Sequence, residues 1–168
     1  MSKASWHLDD LVSVDGVRQA MLTTNRGTAR HSGSECCVEI PPDYSKEGRQ
    51  EIELKFIDPD LADWCYESDQ WALQYLVSHS LRLFKKPLSL MDVKLRYCPI
   101  TDRSYPREPC MLASIDLKTV AYKGQSGVTV APMDVDLLDV TPVFEVKSMW
   151  FADTGTCGLT LDVIEVWV

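Results

Sequence analysis

The sequence predicts a mainly β domain with one sound helix, folded as a small closed barrel or as a sandwich of two sheets. About seven short segments alternate apolar and polar residues, and only one segment has strong helical periodicity. After residue 88 no helical pattern separates the strands, which argues against a parallel α/β architecture. The chain has 168 residues, which suits one domain.

Two strand candidates precede the helix. Residues 36–40 (CCVEI) form a short run that ends at two prolines. Residues 51–57 (EIELKFI) alternate cleanly, with Ile52, Leu54 and Phe56 on one face. Alternation with a period of two predicts that these three side chains face a core.

The predicted helix covers about residues 69–85. Ser68 is the candidate N-cap, and Pro87 prevents continuation beyond the last turn. Lys85 and Lys86 lie where cations complement the helix dipole. The stripe that is expected to pack against the sheet consists of Leu73, Leu76, Val77, Ser80 and Phe84.

Beyond Pro87 the pattern returns to a period of two. Residues 93–97 and 111–117 are predicted strands. In the first of them, Lys94 and Arg96 are expected to project from the polar face. These two cations would then point away from the core.

The C-terminal part of the sequence predicts a long hairpin. Residues 142–151 and 159–168 are joined through ADTGTCG, where Gly155 and Gly158 are available for a positive φ. In the second run the apolar positions change phase after Val163. Such a change predicts a β-bulge or a strand that is buried on both faces.

The first 34 residues are predicted to form a loosely packed N-terminal arm. They show little periodicity and end in the turn-forming stretch TTNRGTARHSGSE. A short helical or extended piece is expected only around residues 11–22. Residues 35–168 are predicted to form a single β-rich domain.

Composition predicts an intracellular protein in a reducing compartment. The 17 Lys and Arg residues against 25 Asp and Glu residues give a formal charge of −8, which argues against a general polyanion-coating protein. No apolar run approaches the roughly 20 residues of a membrane span, and no signal-peptide core is recognisable. The six cysteines lack a CxxC spacing, so we expect free thiols that pack as small hydrophobic residues.

No catalytic motif is present, so the sequence does not predict an enzyme. The nucleophile elbow, the glycine-rich phosphate loop, the HExxH helix and the kinase signature are all missing. Neither a cofactor nor a metal site is predicted, because the three histidines are scattered and an acidic chain pairs carboxylates by chance. His79 is expected to be a packed, hydrogen-bonded residue of the helix.

A basic segment stands out against the acidic chain. Residues 82–107 carry seven basic and two acidic residues, net +5, between residues 35–69 at net −8 and residues 134–168 at net −6. Basic side chains interleaved with aromatic rings suit a single-stranded nucleic acid. A solvated hairpin that balances the acidic remainder explains the same pattern. The candidate contacts at 82–123 are Lys85, Lys86, Lys94, Arg96, Arg103, Tyr105, Arg107, Lys118 and Tyr122.

Several segments of residues 50–168 follow one another in a characteristic order: SLRLFKK at 80–86, Tyr105–Pro106, Ile115–Asp116, WF at 150–151 and GLTL at 158–161. This order resembles that of the OB-fold single-stranded DNA-binding proteins of nucleocytoplasmic large DNA viruses. The resemblance implies an OB-like closed antiparallel barrel. It also implies that the protein is located in the host cytoplasm or nucleus, or in the virion. A jelly-roll-type β-sandwich is the alternative fold.

The predicted function is non-catalytic, sequence-tolerant binding of single-stranded nucleic acid, DNA in particular. The basic side chains would contact phosphates, and Tyr105 or Tyr122 would stack on bases. The alternative is a viral structural or assembly protein, a capsid or decoration component that acts through β-edge contacts. Its partners would be virion proteins or further copies of the chain.

Periodicity assigns Trp150 to the core, on one face with Phe144, Val146 and Ser148. On this assignment Trp150→Ala leaves a large cavity and costs about 3–5 kcal/mol of stability. A base-stacking role predicts instead a mild effect on stability and a loss of about 1–3 kcal/mol in oligonucleotide binding.

Overall fold

The computed structural model of the protein describes residues 5–24, 27–32, 35–40, 42–102, 110–124, 126–129 and 139–167. Its helices are α1 (Pro59–Ser78), α2 (Ser80–Phe84) and α3 (Leu90–Lys94). Its strands are β1 (Trp6–Leu8), β2 (Val12–Val14), β3 (Val17–Thr24), β4 (Ala29–Ser32), β5 (Cys36–Ile40), β6 (Arg49–Phe56), β7 (Tyr97–Cys98), β8 (Thr101–Asp102), β9 (Cys110–Asp116), β10 (Ala121–Lys123), β11 (Asp139–Phe151) and β12 (Cys157–Trp167).

Five strands pair into a closed ring. The order is β11, β5, β6, β9 and β12, and β12 pairs back with β11. The sheet therefore closes on itself, as predicted, and is not an open sandwich. The expectation of an antiparallel ring is wrong in one respect, because β12 runs parallel to β7, β9 and β10.

The core fills the inside of this ring. Its buried apolar side chains include Ile52, Leu54, Ile115 and Val163. Helix α1 joins the core through an aromatic contact, because the Trp64 ring stacks on Phe144 with a centroid distance of 6.4 Å. The predicted inward face of residues 51–57 is confirmed, because Ile52 and Leu54 are buried and Phe56 is partly buried against the core.

The N-terminal residues are part of the sheet and not a loosely packed arm. Strand β3 pairs with β1, β2 and β11. Trp6, Leu8, Ala20 and Leu22 are all buried in the core. The prediction was wrong because β1 and β2 have only three residues each, and in β3 the exposed Met21 stands between the buried Ala20 and Leu22, which hides the alternation.

Helix α1 begins ten residues earlier than predicted. Asp58 is its N-cap and accepts a 2.8 Å hydrogen bond from the Asp60 amide, while Pro59 occupies the first turn. Ser68 is therefore a buried mid-helix residue, and its hydroxyl donates to the Trp64 carbonyl. His79 is packed and hydrogen-bonded as expected, since its Nδ1 hydrogen-bonds the Tyr75 carbonyl oxygen and its ring stacks on Tyr75. It is the C-cap of α1, however, so the predicted single helix to residue 85 is divided into α1 and α2.

Residues 90–94 form a short helix where a strand was predicted. Ser89 and Asp92 form a capping box, in which each side chain accepts a hydrogen bond from the other residue's backbone amide. Val93 is the buried residue of this helix. The capping box outweighs the apolar alternation of residues 93–97, so extended structure begins only at Tyr97.

The C-terminal hairpin forms as predicted. Strands β11 and β12 are antiparallel, and Gly155 adopts a φ of 85° in the turn. The predicted bulge is confirmed, because the register shifts where Val143 pairs with Glu165 and Phe144 with Val163. Gly158, in contrast, lies within β12 and takes no positive φ.

Among the helices of the described ranges, none is long and apolar enough to cross a membrane. Over the same residues, no three His, Cys, Asp or Glu side chains come together in a way that could hold a metal ion. Four of the six cysteines are buried, in keeping with small hydrophobic packing: Cys36, Cys65, Cys110 and Cys157.

Candidate functional site

An open groove of about 470 Å³ crosses the face of the sheet that points away from the core. Strands β3, β11, β12, β9 and β6 contribute to its walls. The side chains combine exposed apolar surface with hydroxyl and amide groups, including Val17, Gln19, Leu112, Ser114, Trp150 and Thr160. We refer to this depression as the groove.

Trp150 lies in the groove and not in the core, so its predicted burial is wrong. The register between β11 and β12 shifts directly after Val146, where Lys147 has no residue opposite it. Beyond this bulge the phase is reversed, and Met149 and Phe151 take the buried positions. Trp150 is left partly buried on the outer face.

Gly158 makes room for the indole ring of Trp150. The two residues are directly paired across the hairpin. A Cβ at position 158 would lie 2.9 Å from Trp150 Cζ2 and 2.8 Å from the Cys98 carbonyl oxygen. The ring therefore rests across the glycine, and glycine within a strand is typical of such a close approach.

We expect Gly158→Ala to lower the free energy of unfolding by about 1–3 kcal/mol, because the Cys98 backbone or the Trp150 ring has to move. Urea denaturation measures the change. Thr160→Ala, two residues further along the same face, is the matched control and should stay within about 1 kcal/mol of the original protein. A Gly158→Ala protein as stable as the original would contradict this packing.

Two cations converge on one carboxylate at the Arg49 end of the groove. Arg49 forms an ion pair with Asp162, and Lys147 Nζ lies 3.7 Å from Asp162 Oδ2. Burial raises the pKa of Asp162 above its ordinary value, although both cations act to lower it. The Asp162 side chain is 19% exposed, whereas those of Arg49 and Lys147 are 42% and 49% exposed. Both cations therefore remain accessible to an anion, with Glu51 as a neighbouring groove carboxylate.

Arg96 lies beside the hairpin turn near Trp150. Its Nη1 occupies the space next to Gly155, 2.7 Å from where a Cβ would be. Hydrogen bonds from Ser89 lower the pKa of Asp92, and the charges of Arg96 and Lys86 act in the same direction. Arg96 and Lys86 therefore both lie close enough to Asp92 to interact with its carboxylate electrostatically.

Asp69 is a buried carboxylate that fixes the loop beside the groove. It accepts hydrogen bonds from the Tyr97 hydroxyl at 2.6 Å, the Ile100 amide at 3.1 Å and the Thr101 hydroxyl at 3.1 Å. Burial raises the pKa of Asp69 above its ordinary value, against the opposing effect of these hydrogen bonds. The side chain thereby ties α1 to strands β7 and β8.

Four of the predicted basic residues lie on helix ends and turns before β7. Lys94 ends helix α3 and is exposed, and Arg96 follows it in a turn, so neither lies on the predicted strand. Lys85 ends α2 in a left-handed conformation, and Lys86 follows; both are exposed. These four cations stay available for contact with a ligand.

Other predicted residues are placed elsewhere. Lys118 lies in the turn after β9, where its Nζ pairs with Glu47 at 2.9 Å. Tyr122 is only 2% exposed, so its predicted stacking role is wrong. The remaining candidates, Arg103, Tyr105 and Arg107, lie outside the described residues.

Sequence reasoning missed Trp150, Arg49 and Lys147 as members of one surface. Arg49 lies in an acidic segment and far from the others in the chain. A signal for Trp150 was present in Gly158, because glycine inside a strand often accompanies a neighbouring ring or backbone.

Comparison with known proteins gives a similar fold. No family model matches the chain, and no curated protein matches it. A solved structure that is similar is the crystal structure of gp2.5, a single-stranded DNA-binding protein encoded by bacteriophage T7. The TM-score is 0.51 at 12% sequence identity, over 84% of this chain and 86% of that chain. Together with the closed ring of strands, this similarity confirms the predicted OB-like fold class.

Proposed function

We propose that the protein binds single-stranded nucleic acid, DNA in particular, in the groove and without catalysis. The observation that carries the proposal is the Trp150 ring, which lies across Gly158 within an open groove on the outside of the ring of strands. The fold is similar to that of a protein described as binding single-stranded DNA, which supports the same reading.

The groove offers the two kinds of contact that a single strand uses. A base can stack on Trp150, and the 47% exposed Leu112 adds apolar surface nearby. Arg49, Lys147 and Arg96 supply positive charge for phosphates at the two ends of the groove. Stacking on an aromatic side chain requires unpaired bases, which favours single strands over a duplex.

The proposal also covers basic residues that the sequence identified. Lys94 and Lys86 are exposed near Arg96. The chain between Asp102 of β8 and Cys110 of β9, which pair with each other, contains the further candidates Arg103, Tyr105 and Arg107. Cys110 is two residues from Leu112, which lines the groove. We propose that these side chains extend the phosphate and base contacts. Lys118 is not included, because it lies in the turn after β9 beside Glu47 and does not line the groove.

A salt titration with a labelled oligonucleotide tests the proposed function. If Arg49, Lys94, Arg96 and Lys147 each contact one phosphate, log affinity should fall against log salt concentration with a slope of about −3, from a factor of roughly 0.7 per contact. Lys147→Gln should reduce the magnitude of the slope by about 0.7. Lys118→Gln is the matched control and should leave it unchanged.

The opposite result is equally clear. Absence of oligonucleotide binding at low salt would contradict the proposal and favour the structural or assembly role. Binding in which Lys118→Gln and Lys147→Gln change the slope equally would contradict the location of the site in the groove.

A further inference from the structure

We infer that a second depression, beside helix α1, takes one unstacked nucleobase of the strand that occupies the groove. This inference rests on the proposed function and extends it from a stacking surface to a site with a base-binding pocket. The pocket has a volume of about 470 Å³, within the range of about 300–1,000 Å³ that is typical of small-ligand sites. Its lining includes Tyr66, Gln70, Leu73, Lys94, Pro99 and Leu112.

The pocket is continuous with the groove. Pro99 and Leu112 line both depressions. Gly158 pairs with Trp150 on one side and with Cys98 on the other. Since neighbouring strands are about 4.8 Å apart, the backbone next to Pro99 lies about 10 Å from that of Trp150. A strand stacked on Trp150 therefore passes the mouth of the pocket.

The side chains of the pocket suit a flat polar ring. Leu73 is buried and Leu112 is exposed, so they offer apolar surface to the faces of a base. The Gln70 amide has both donors and an acceptor, so it can hydrogen-bond the edge of any base. Lys94 is exposed and supplies a cation for the adjoining phosphate. Because this amide can pair with any base, we expect the pocket to show only a weak preference among bases.

The wall of the pocket is held in place from inside the protein. Tyr97 and Thr101 line the pocket, and both donate hydrogen bonds to Asp69. Asp69 is 4% exposed, and its two oxygens accept the three hydrogen bonds from Tyr97, Ile100 and Thr101. Asp69 itself lines the pocket, and its carboxylate fixes the shape of the wall because its oxygens are engaged by these three donors. A paired base cannot enter the pocket without leaving its duplex, so the pocket adds selectivity for single strands.

An abasic scan tests the inference. The shortest oligonucleotide that binds with full affinity is prepared with one base removed at each position in turn. We expect one position, distinct from the one that responds to Trp150→Ala, at which base removal weakens binding to the original protein about fivefold, the size of one hydrogen bond with its partner left unpaired. Gln70→Ala should weaken the intact oligonucleotide to the same extent and be insensitive to base removal there.

Control variants distinguish the outcomes. Gln74→Ala, one turn further along α1 and exposed, should bind and respond to base removal as the original protein does. Gln70→Glu adds a negative charge beside the strand and should weaken binding more than Gln70→Ala. If Trp150→Ala weakens binding but both Gln70 variants bind as the original protein, the inference is wrong and the proposed function stands. If the original protein binds no oligonucleotide, both are wrong.

Discussion

Replacing Asp69 with alanine is expected to lower the free energy of unfolding by about 3 kcal/mol or more. The change leaves three buried donors without an acceptor, on Tyr97, Ile100 and Thr101, which are 8%, 4% and 4% exposed. Each buried donor that loses its partner costs about 1–3 kcal/mol. Urea denaturation provides the measurement. A loss below about 1 kcal/mol would contradict the role of Asp69, since it would mean that water entering the pocket satisfies these donors.

Asp69→Asn is the matched control, and it adds a test by pH. Asparagine keeps one acceptor oxygen, so the loss should be smaller than for alanine. Burial raises the pKa of Asp69 in the folded state above its value of 3.8 in the unfolded chain. Between the two values the folded state binds more protons, so the stability that Asp69 contributes increases as the pH falls and is lost as the pH rises through the folded pKa. The free energy of unfolding of the original protein, relative to that of Asp69→Asn, should therefore increase as the pH falls.

Phe144→Ala is expected to cost about 3–5 kcal/mol, the usual loss for truncating a fully buried aromatic side chain. Phe144 is 0% exposed, lies on β11 within the closed ring, and stacks against Trp64 of helix α1. The variant therefore opens a cavity where the ring of strands meets the helix. A shift of the urea midpoint at unchanged slope is the expected readout.

Trp150→Ala is the comparison for Phe144→Ala, because both residues lie on β11 and only Phe144 is buried in the core. Trp150 packs across Gly158 with part of its ring open to the groove, so its truncation should cost clearly less than that of Phe144. Equal losses for the two variants would restore the core position that periodicity predicts for Trp150.

The long hairpin follows from local patterns, whereas the closure of the sheet also depends on pairing between strands far apart in the chain, such as β5 with β11 and β9 with β12. Residues 142–151 and 159–168 alternate over many positions, and Gly155 marks the turn. The phase change after Val163 is visible in the sequence because apolar residues stand on both sides of it. Each of these features is encoded by neighbours in the chain.

The structure differs from the sequence prediction where one or two residues change the local pattern. Lys147 adds one residue to β11, and that bulge turns Trp150 away from the core. The alternation around it does not reveal this, because Ser148 fits either face. The capping box of Ser89 and Asp92 similarly converts an apparent strand into a helix.

The candidate site was predicted only in part, because its members are far apart in the chain. Positive charge along residues 82–107 drew attention to Lys94, which is exposed, and to Arg96, which is partly buried; their contact with a ligand stays a prediction. Tyr122 lies in the core because β10 pairs with β12, where Tyr122 is opposite the buried Val166. Arg49 joins the site through pairing of β6 with β9, which no local pattern encodes.

Oligonucleotide binding by Trp150→Ala tests most directly whether the groove is the binding site. Trp167→Ala is the matched control. Trp167 belongs to the same hairpin, on β12, but lies at the end opposite to Trp150, where it pairs with Thr141 and is 37% exposed. We expect Trp150→Ala to weaken single-strand binding by about 5-fold to 150-fold, corresponding to a stacking contribution of about 1–3 kcal/mol. Trp167→Ala should stay within about twofold of the original protein, well below the loss of one stacked base. Unchanged binding by a folded Trp150→Ala protein, or an equal loss in both variants, would contradict the groove as the site.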